Sequence, residues 1–135
     1  MKRIVVIGLE IHLQLKTESK LFCSCSTDYI GVTANTNICP VCLALPGTLP
    51  LLNDKAVEQA VRLGLALHCD IQNNTRFHRK HYFYADLPKA YQITQYDNPI
   101  ATGGYVDILV ENGCKRIHLD HLHLEEDAGK LVHQT

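Results

Sequence analysis

Residues 4–15 alternate apolar and polar with a period of two. Val5, Ile7, Leu9, Ile11, Leu13 and Leu15 fall in one phase, and Glu10, His12 and Gln14 in the other. This pattern predicts a β-strand with one apolar face. A polar stretch, Lys16-Thr17-Glu18-Ser19-Lys20, then leads into a group of cysteines, and Tyr29 to Ile38 has the Gly/Asn content of a loop. After Pro46-Gly47 and Pro50, Asn53 or Asp54 is placed to cap a helix reaching to about His68. Val57, Ala60, Val61, Gly64 and Leu65 would form its buried stripe. Val110-Glu111-Asn112-Gly113-Cys114 reads as a hairpin, because Asn-Gly accepts the positive φ of a type I′ turn. Farther on, Ile117 and Leu119 share one strand phase and Leu122 and Leu124 the other, which predicts a bulge or bend near Asp120-His121. The elements add up to an α+β domain, mostly antiparallel β with one main helix.

A chain of 135 residues is the size of one domain and can bury a core. Its net charge of −1 excludes a protein that simply coats nucleic acid, so any such contact has to be a local basic patch. Met1-Lys2-Arg3 followed by Ile4 to Leu9 imitates a signal peptide, but Glu10, His12 and Gln14 interrupt the apolar run and no small-residue cleavage site follows. No apolar run has the length of a membrane span. The expected location is the cytoplasm, where thiols stay reduced.

That compartment bears on Cys23-Ser24-Cys25 and Cys39-Pro40-Val41-Cys42. Two close thiol pairs flanking a short loop can place four sulfurs around one tetrahedral ion, so Cys23, Cys25, Cys39 and Cys42 are candidate ligands of a structural Zn²⁺. The alternative is ordinary buried or disulfide-bonded cysteines. Cys69 and Cys114 stand apart and read as core or incidental thiols.

Three further constellations could carry chemistry. Glu10 and His12 are two apart, so on a strand they share a face about 7 Å apart. A carboxylate beside an imidazole suits a metal ion or an acid/base pair, or else marks a solvated strand face. His121, His123 and Glu125 would align on one face of the later strand, and Glu125-Glu126-Asp127 either has a cation or basic side chains to offset its repulsion or is a solvated acidic turn. Arg76-Phe77-His78-Arg79-Lys80-His81-Tyr82-Phe83-Tyr84 interleaves positive charge with stacking surfaces, a pattern that suits phosphates and bases but that an ordinary amphipathic strand also gives. Asp86-Leu87-Pro88-Lys89-Ala90-Tyr91-Gln92 follows as a proline-marked loop of the kind that lines sites. No phosphate-binding loop of the Gly-x-x-x-x-Gly-Lys type is present, and Ala128-Gly129-Lys130 is too short to be one.

In order, these segments resemble the B subunit of aspartyl/glutamyl-tRNA amidotransferase, and the archaeal GatE subunit shares the opening motif. The resemblance rests on Ile7-Gly8-Leu9-Glu10-Ile11-His12-Leu13-Gln14-Leu15 and on Asn35 through Gly47. It continues through Arg79-Lys80-His81-Tyr82-Phe83-Tyr84, Asp86 through Ile93, and His123-Leu124-Glu125-Glu126-Asp127-Ala128-Gly129-Lys130. His78 departs from it, standing where an acidic residue commonly precedes the Arg-Lys pair.

The resemblance implies that residues 1–135 are the N-terminal part of a cradle-shaped catalytic domain carrying a zinc loop at 23–42, without the helical and tRNA-binding tail domains. It implies a heterotrimer in which an A subunit (a glutaminase) passes ammonia to the B subunit, with a C subunit as third partner. The B subunit uses ATP and Mg²⁺ to phosphorylate the side-chain carboxylate of Glu-tRNA(Gln) or Asp-tRNA(Asn), and ammonia then yields Gln-tRNA(Gln) or Asn-tRNA(Asn). By motif position, Glu10, His12 and Glu125 are the expected Mg²⁺ and phosphate-site residues. Lys80 and Glu126 are the expected charged pair at the ammonia exit. Arg79, Tyr82, Tyr84, Lys89, Tyr91 and Gln92 are the expected lining for ATP and the tRNA end. The chain would then be one part of a ligase, inactive alone and with an unpaired sheet edge. A reading of a different class is a non-catalytic zinc-stabilised β domain that binds RNA or a protein partner.

Overall fold

A computed structural model describes residues 3–84 and 87–127. The Asp86 end of the proline-marked loop and the Ala128-Gly129-Lys130 segment lie outside the described residues. The architecture is α+β, with every strand pairing antiparallel. Among the described residues one helix, α1 (Asp54–Ala66), is followed by seven short strands: β1 (Asp70–Ile71), β2 (His78–His81), β3 (Tyr91–Thr94), β4 (Ala101–Thr102), β5 (Tyr105–Val110), β6 (Gly113–His118) and β7 (His121–Leu122). They form a three-stranded sheet β1-β4-β7 and two two-stranded sheets, β2-β3 and β5-β6. Among the described residues no helix is long and apolar enough to cross a membrane.

Helix α1 starts where expected. Asn53 is its N-cap, with the side-chain oxygen accepting from the Lys55 N–H at 2.9 Å. Its amide reaches the other way and donates to the Ser19 carbonyl at 3.0 Å, which ties the helix start to the segment entering the cysteines. The buried side of α1 is Ala56, Ala60 and Gly64, with Val57 and Val61 packed against the core. Leu65 does not belong to that stripe. It is exposed, because the sheet approaches the helix at Gly64 and the chain turns away after Ala66. A Cβ at Gly64 would stand 2.7 Å from Ile71 Cδ1 and 3.3 Å from Ala101 Cβ, so a larger residue here would have to displace the end of the Ile71 side chain and press on Ala101.

The core consists of Ala60, Cys69, Ile100, Ala101 and Leu124, flanked by partly buried Leu21, Val61, Ile71, Phe77 and Leu122. Buried Gln95 links its parts, its Oε1 accepting from the Ile100 and Leu124 N–H groups, both at 3.0 Å. Cys69 is a core thiol, as its isolation in the sequence suggests.

Two expectations are corrected. Residues 4–15 do not form a strand, and Ile7 and Leu9 are 80% and 83% exposed. Alternation creates a strand only when another strand completes its hydrogen bonds, and no described residue pairs with this segment. Leu15 packs against the core, and just past the segment Gln59 Nε2 donates to the Lys16 carbonyl at 2.8 Å. The hairpin forms, with Val110 opposite Gly113, but Glu111 and Asn112 are its two turn residues and neither takes positive φ. Gly113 alone does, at 129°, so the turn is not type I′.

The phase flip between Leu119 and Leu122 has a structural cause. β6 ends at His118 in the β5-β6 ribbon, and after two residues β7 joins a different sheet beside β4. The bend is a change of sheet, and it delivers His121 through Asp127 to the edge of the core.

Candidate functional site

Ser19 and Ser26 pair as an isolated bridge, the Lys20 N–H donates to the Cys25 carbonyl at 3.0 Å, and the Thr27 N–H to Glu18 at 3.2 Å. The resulting knuckle carries Cys23 and Cys25 at its tip. The second pair sits on a tight turn in which Leu43 donates to the Cys39 carbonyl at 3.1 Å and Leu45 to Pro40 at 3.0 Å. The two turns face each other, and one sulfur from each of Cys23, Cys25, Cys39 and Cys42 lies within 4.8 Å of the others.

Cys42 Sγ is 3.6 Å from Cys23, 3.8 Å from Cys39 and 3.9 Å from Cys25. A tetrahedral ion with metal–sulfur bonds of ~2.3 Å would separate its sulfurs by about 3.8 Å, whereas a disulfide brings them to ~2.05 Å. All four thiols are free and half-buried. The spacing fits a metal and does not fit a disulfide pair. As thiols they are unequal. The backbone N–H groups of Cys42 and Val41 point at Cys39 and lower it to about 7, whereas burial pushes Cys23 up to about 12. Burial likewise raises Cys25.

A second cluster joins distant parts of the chain. His12 Nδ1 lies 3.4 Å from Glu125 Oε1, and His123 Nε2 lies 3.4 Å from Glu125 Oε2. The Thr94 hydroxyl donates to the same Oε2 at 3.3 Å. The His121 and His123 rings stack with centroids 5.3 Å apart, so the expected alignment of His121, His123 and Glu125 is present. His12 remains 76% exposed and Glu125 25%. Glu10, two residues along the same segment, is exposed and forms no ion pair among the described residues. Mg²⁺ binds through one or two carboxylates and completes its shell with water and phosphate oxygens. His12 and Glu125 meet, but Glu10 is not drawn to them: among the described residues only the four cysteines bring three or more possible ligand atoms together.

Glu126 has a different partner from the one its motif suggests. Lys89 Nζ contacts both of its carboxylate oxygens, and the pair is nearly buried, with side chains 11% and 15% exposed. The Ile93 N–H donates to Glu126 Oε1 at 2.8 Å, and Gln92 Nε2 donates to the Glu126 carbonyl at 2.8 Å. Lys80 lies exposed on β2, opposite Gln92 in register, and forms no ion pair among the described residues. The reason is desolvation. A carboxylate withdrawn from water needs a cation in direct contact, and Lys89, just before β3, supplies it.

The aromatic and basic residues converge on β2-β3. The Arg79 guanidinium stands 4.6 Å from the centre of the Tyr91 ring, Lys89 Nζ stands 5.2 Å from it, and Tyr82 meets Tyr84 edge-on at 5.6 Å. Tyr84 is exposed and Tyr82 half-buried, so both offer ring surface. Sequence reasoning did not place Thr94, which has no motif to mark it. His123 was visible only as one of an aligned row, two residues before Glu125.

Residues 5–135 match the family model described as the GatB/GatE catalytic domain. The chain is 60% identical over 134 residues to the B subunit of the aspartyl/glutamyl-tRNA(Asn/Gln) amidotransferase of Caldanaerobacter subterraneus subsp. tengcongensis, covering 99% of this chain and 28% of that protein. It is 57% identical over 130 residues to the protein of the same name from Methanoregula boonei, covering 96% and 27%. For the one from Persephonella marina the values are 55% over 129 residues, 96% and 27%. The chain thus spans about 28% of the length of the curated relatives it matches.

Proposed function

This chain belongs to the GatB/GatE catalytic domain family, and from that membership we propose that it is part of a glutamine-dependent tRNA amidotransferase subunit. The substrates are Glu-tRNA(Gln), Asp-tRNA(Asn) or both, the A and C subunits are its partners, and the reaction takes place in the cytoplasm. The end-to-end family match carries this reading. The meeting of His12 with Glu125 supports it from geometry, because the two motifs otherwise have no reason to share a surface.

The side-chain carboxylate of the misacylated tRNA attacks the γ-phosphorus of ATP, ADP leaves, and an acyl phosphate forms. Ammonia then attacks the acyl carbon, phosphate departs, and the amide remains. Mg²⁺ supplies charge neutralisation at the phosphates when bound. His12 and Glu125, which meet, would hold it, with Glu10 assigned by motif position alone. In this reading Thr94 and His123 fix the Glu125 carboxylate, each with a polar atom within 3.4 Å of it. Arg79, Tyr82, Tyr84 and Tyr91 offer charge and rings to the nucleotide and the tRNA end. Lys89 and Gln92 serve by holding Glu126 beside them, and Lys80, exposed on the adjoining strand and unpaired among the described residues, offers its charge to an incoming anion.

The four cysteines hold a structural Zn²⁺ that braces residues 23–42, with no part in the reaction. The test is reconstitution of the full-length protein with its A and C partners. Conversion of Glu-tRNA(Gln) or Asp-tRNA(Asn) to its amide, dependent on ATP and glutamine, is the expected result. Absence of ATP-dependent amidation of both substrates by an assembled, glutaminase-competent complex would overturn the reading.

A further inference from the structure

The cysteine cluster has a neighbour that no motif marks. Lys20 extends from the knuckle that carries Cys23 and Cys25, and its backbone is fixed there by the hydrogen bond to Cys25. Its ammonium does not turn to solvent. Nζ donates to the Asn37 carbonyl at 2.6 Å and to Cys42 Sγ at 3.5 Å. Asn37 is itself held, its amide donating to the Asp28 carbonyl at 2.7 Å. The lysine therefore joins the first thiol pair to the loop before the second and presents its charge to one sulfur.

Ordering a lysine side chain costs rotamer entropy, and its ammonium is strongly hydrated. Something electronegative has to offset both. Four thiolates around a divalent cation carry excess negative charge in a half-buried site, and a fixed ammonium beside one of them meets that need. We infer that Lys20 is a positioning residue and charge partner of the four-cysteine site, donating an N–H···S hydrogen bond to Cys42 that retards loss of the bound metal. The inference rests on the reading that the cluster holds a metal.

The role separates into charge and shape by substitution. Lys20→Met keeps the length and removes charge and donor, Lys20→Gln keeps a donor without charge, and Lys20→Arg keeps both. The measurement is zinc transfer from the full-length protein to a chromogenic chelator, with cobalt(II) substitution to read the ligand set by its absorption. Lys20→Met and Lys20→Gln are expected to release zinc about tenfold faster, the scale of losing a partner that tunes a metal ligand. Lys20→Arg is expected to release it at the unsubstituted rate, and all three are expected to keep the tetrahedral thiolate spectrum. The melting temperature of metal-stripped protein is expected to be the same with and without Lys20→Met, whereas a purely structural lysine would lower it.

An unchanged release rate in Lys20→Met and Lys20→Gln would overturn the inference while leaving the metal reading intact. So would Lys20→Arg releasing as fast as Lys20→Met. Failure of the unsubstituted protein to retain one zinc or cobalt ion would remove the metal reading itself. If Lys20→Met does not fold, the release rate of Lys20→Gln decides the question in its place.

Discussion

The cysteine clasp and the His12–Glu125 cluster are built in opposite ways. The clasp draws its four sulfurs from two short turns, each closed by its own backbone hydrogen bonds, and gathers them within 4.8 Å. The His12–Glu125 cluster joins residues near the two ends of the chain, and one partner lies on a segment that no described strand pairs. Local turns complete the first with little help from the rest of the fold. The second depends on long-range packing, and its exposed apolar flank, Ile7 and Leu9 among it, calls for further protein surface. A structural site can be finished within a few turns of chain, while a site for large substrates is assembled from remote pieces.

The sharpest way to break this comparison is to remove the remote pieces. In the reconstituted complex, Glu125→Gln is expected to lower ATP-dependent amidation about 10³-fold, since charge stabilisation by a metal is worth several kcal/mol. Glutamine hydrolysis measured in the same samples should persist. A Glu125→Gln complex with normal amidation would leave the cluster without a catalytic role.

The next effect falls on the neighbouring ion pair. Lys89→Met leaves Glu126 charged and nearly buried and is expected to cost about 3 kcal/mol in denaturant unfolding. Adding Glu126→Gln should recover part of that loss, because the orphaned charge is gone. Equal stability of Lys89→Met and the unsubstituted protein would show that the pair is solvated. A smaller loss is expected of Gly64→Ala, about 1–3 kcal/mol from overpacking against Ile71 and Ala101. Asn53→Ala should cost about 1 kcal/mol as a lost helix cap, read by the same unfolding curves.

The clasp offers a pH test with a definite sign. Cys39 is lowered to about 7 by the backbone N–H groups facing it, while burial raises Cys23 to about 12. In the metal-free protein, the Cys39 contribution to stability is present above its ordinary value of 9.0 and is lost as pH falls through about 7. The Cys23 contribution is present below 9.0 and is lost as pH rises towards 12. Metal uptake displaces the thiol protons, so the number released should increase as pH falls through about 7, where Cys39 regains its own. Calorimetry in buffers of different ionisation heat measures that number. A constant proton count across this range would contradict the asymmetry.

The sequence was most legible where local chemistry decides structure. Cysteine spacing announced the clasp, Asn53 or Asp54 the helix start, and the change of apolar phase a bend at Asp120-His121, which the fold turns into a passage from one sheet to another. It was less legible where a residue's state depends on a distant partner. Alternation in residues 4–15 reports a capacity for strand pairing, and the described residues provide no strand to use it. The choice of Lys89 over Lys80 by Glu126 depends on how the loop after Tyr84 returns to β3, which spacing does not encode. Lys20 and Thr94 belong to no motif and acquire their roles only from what the fold sets beside them.

The central claim is that the chemistry belongs to the remote cluster while the clasp only braces the chain. It is tested most directly by measuring tRNA-dependent ADP formation in reconstituted complexes carrying His12→Ala or Cys39→Ser. The account predicts that His12→Ala abolishes ADP formation with melting temperature and glutaminase activity retained, whereas Cys39→Ser lowers metal content and stability but leaves ADP formation in the protein that stays folded. Normal ADP formation with His12→Ala, or its complete loss in folded Cys39→Ser, would contradict it.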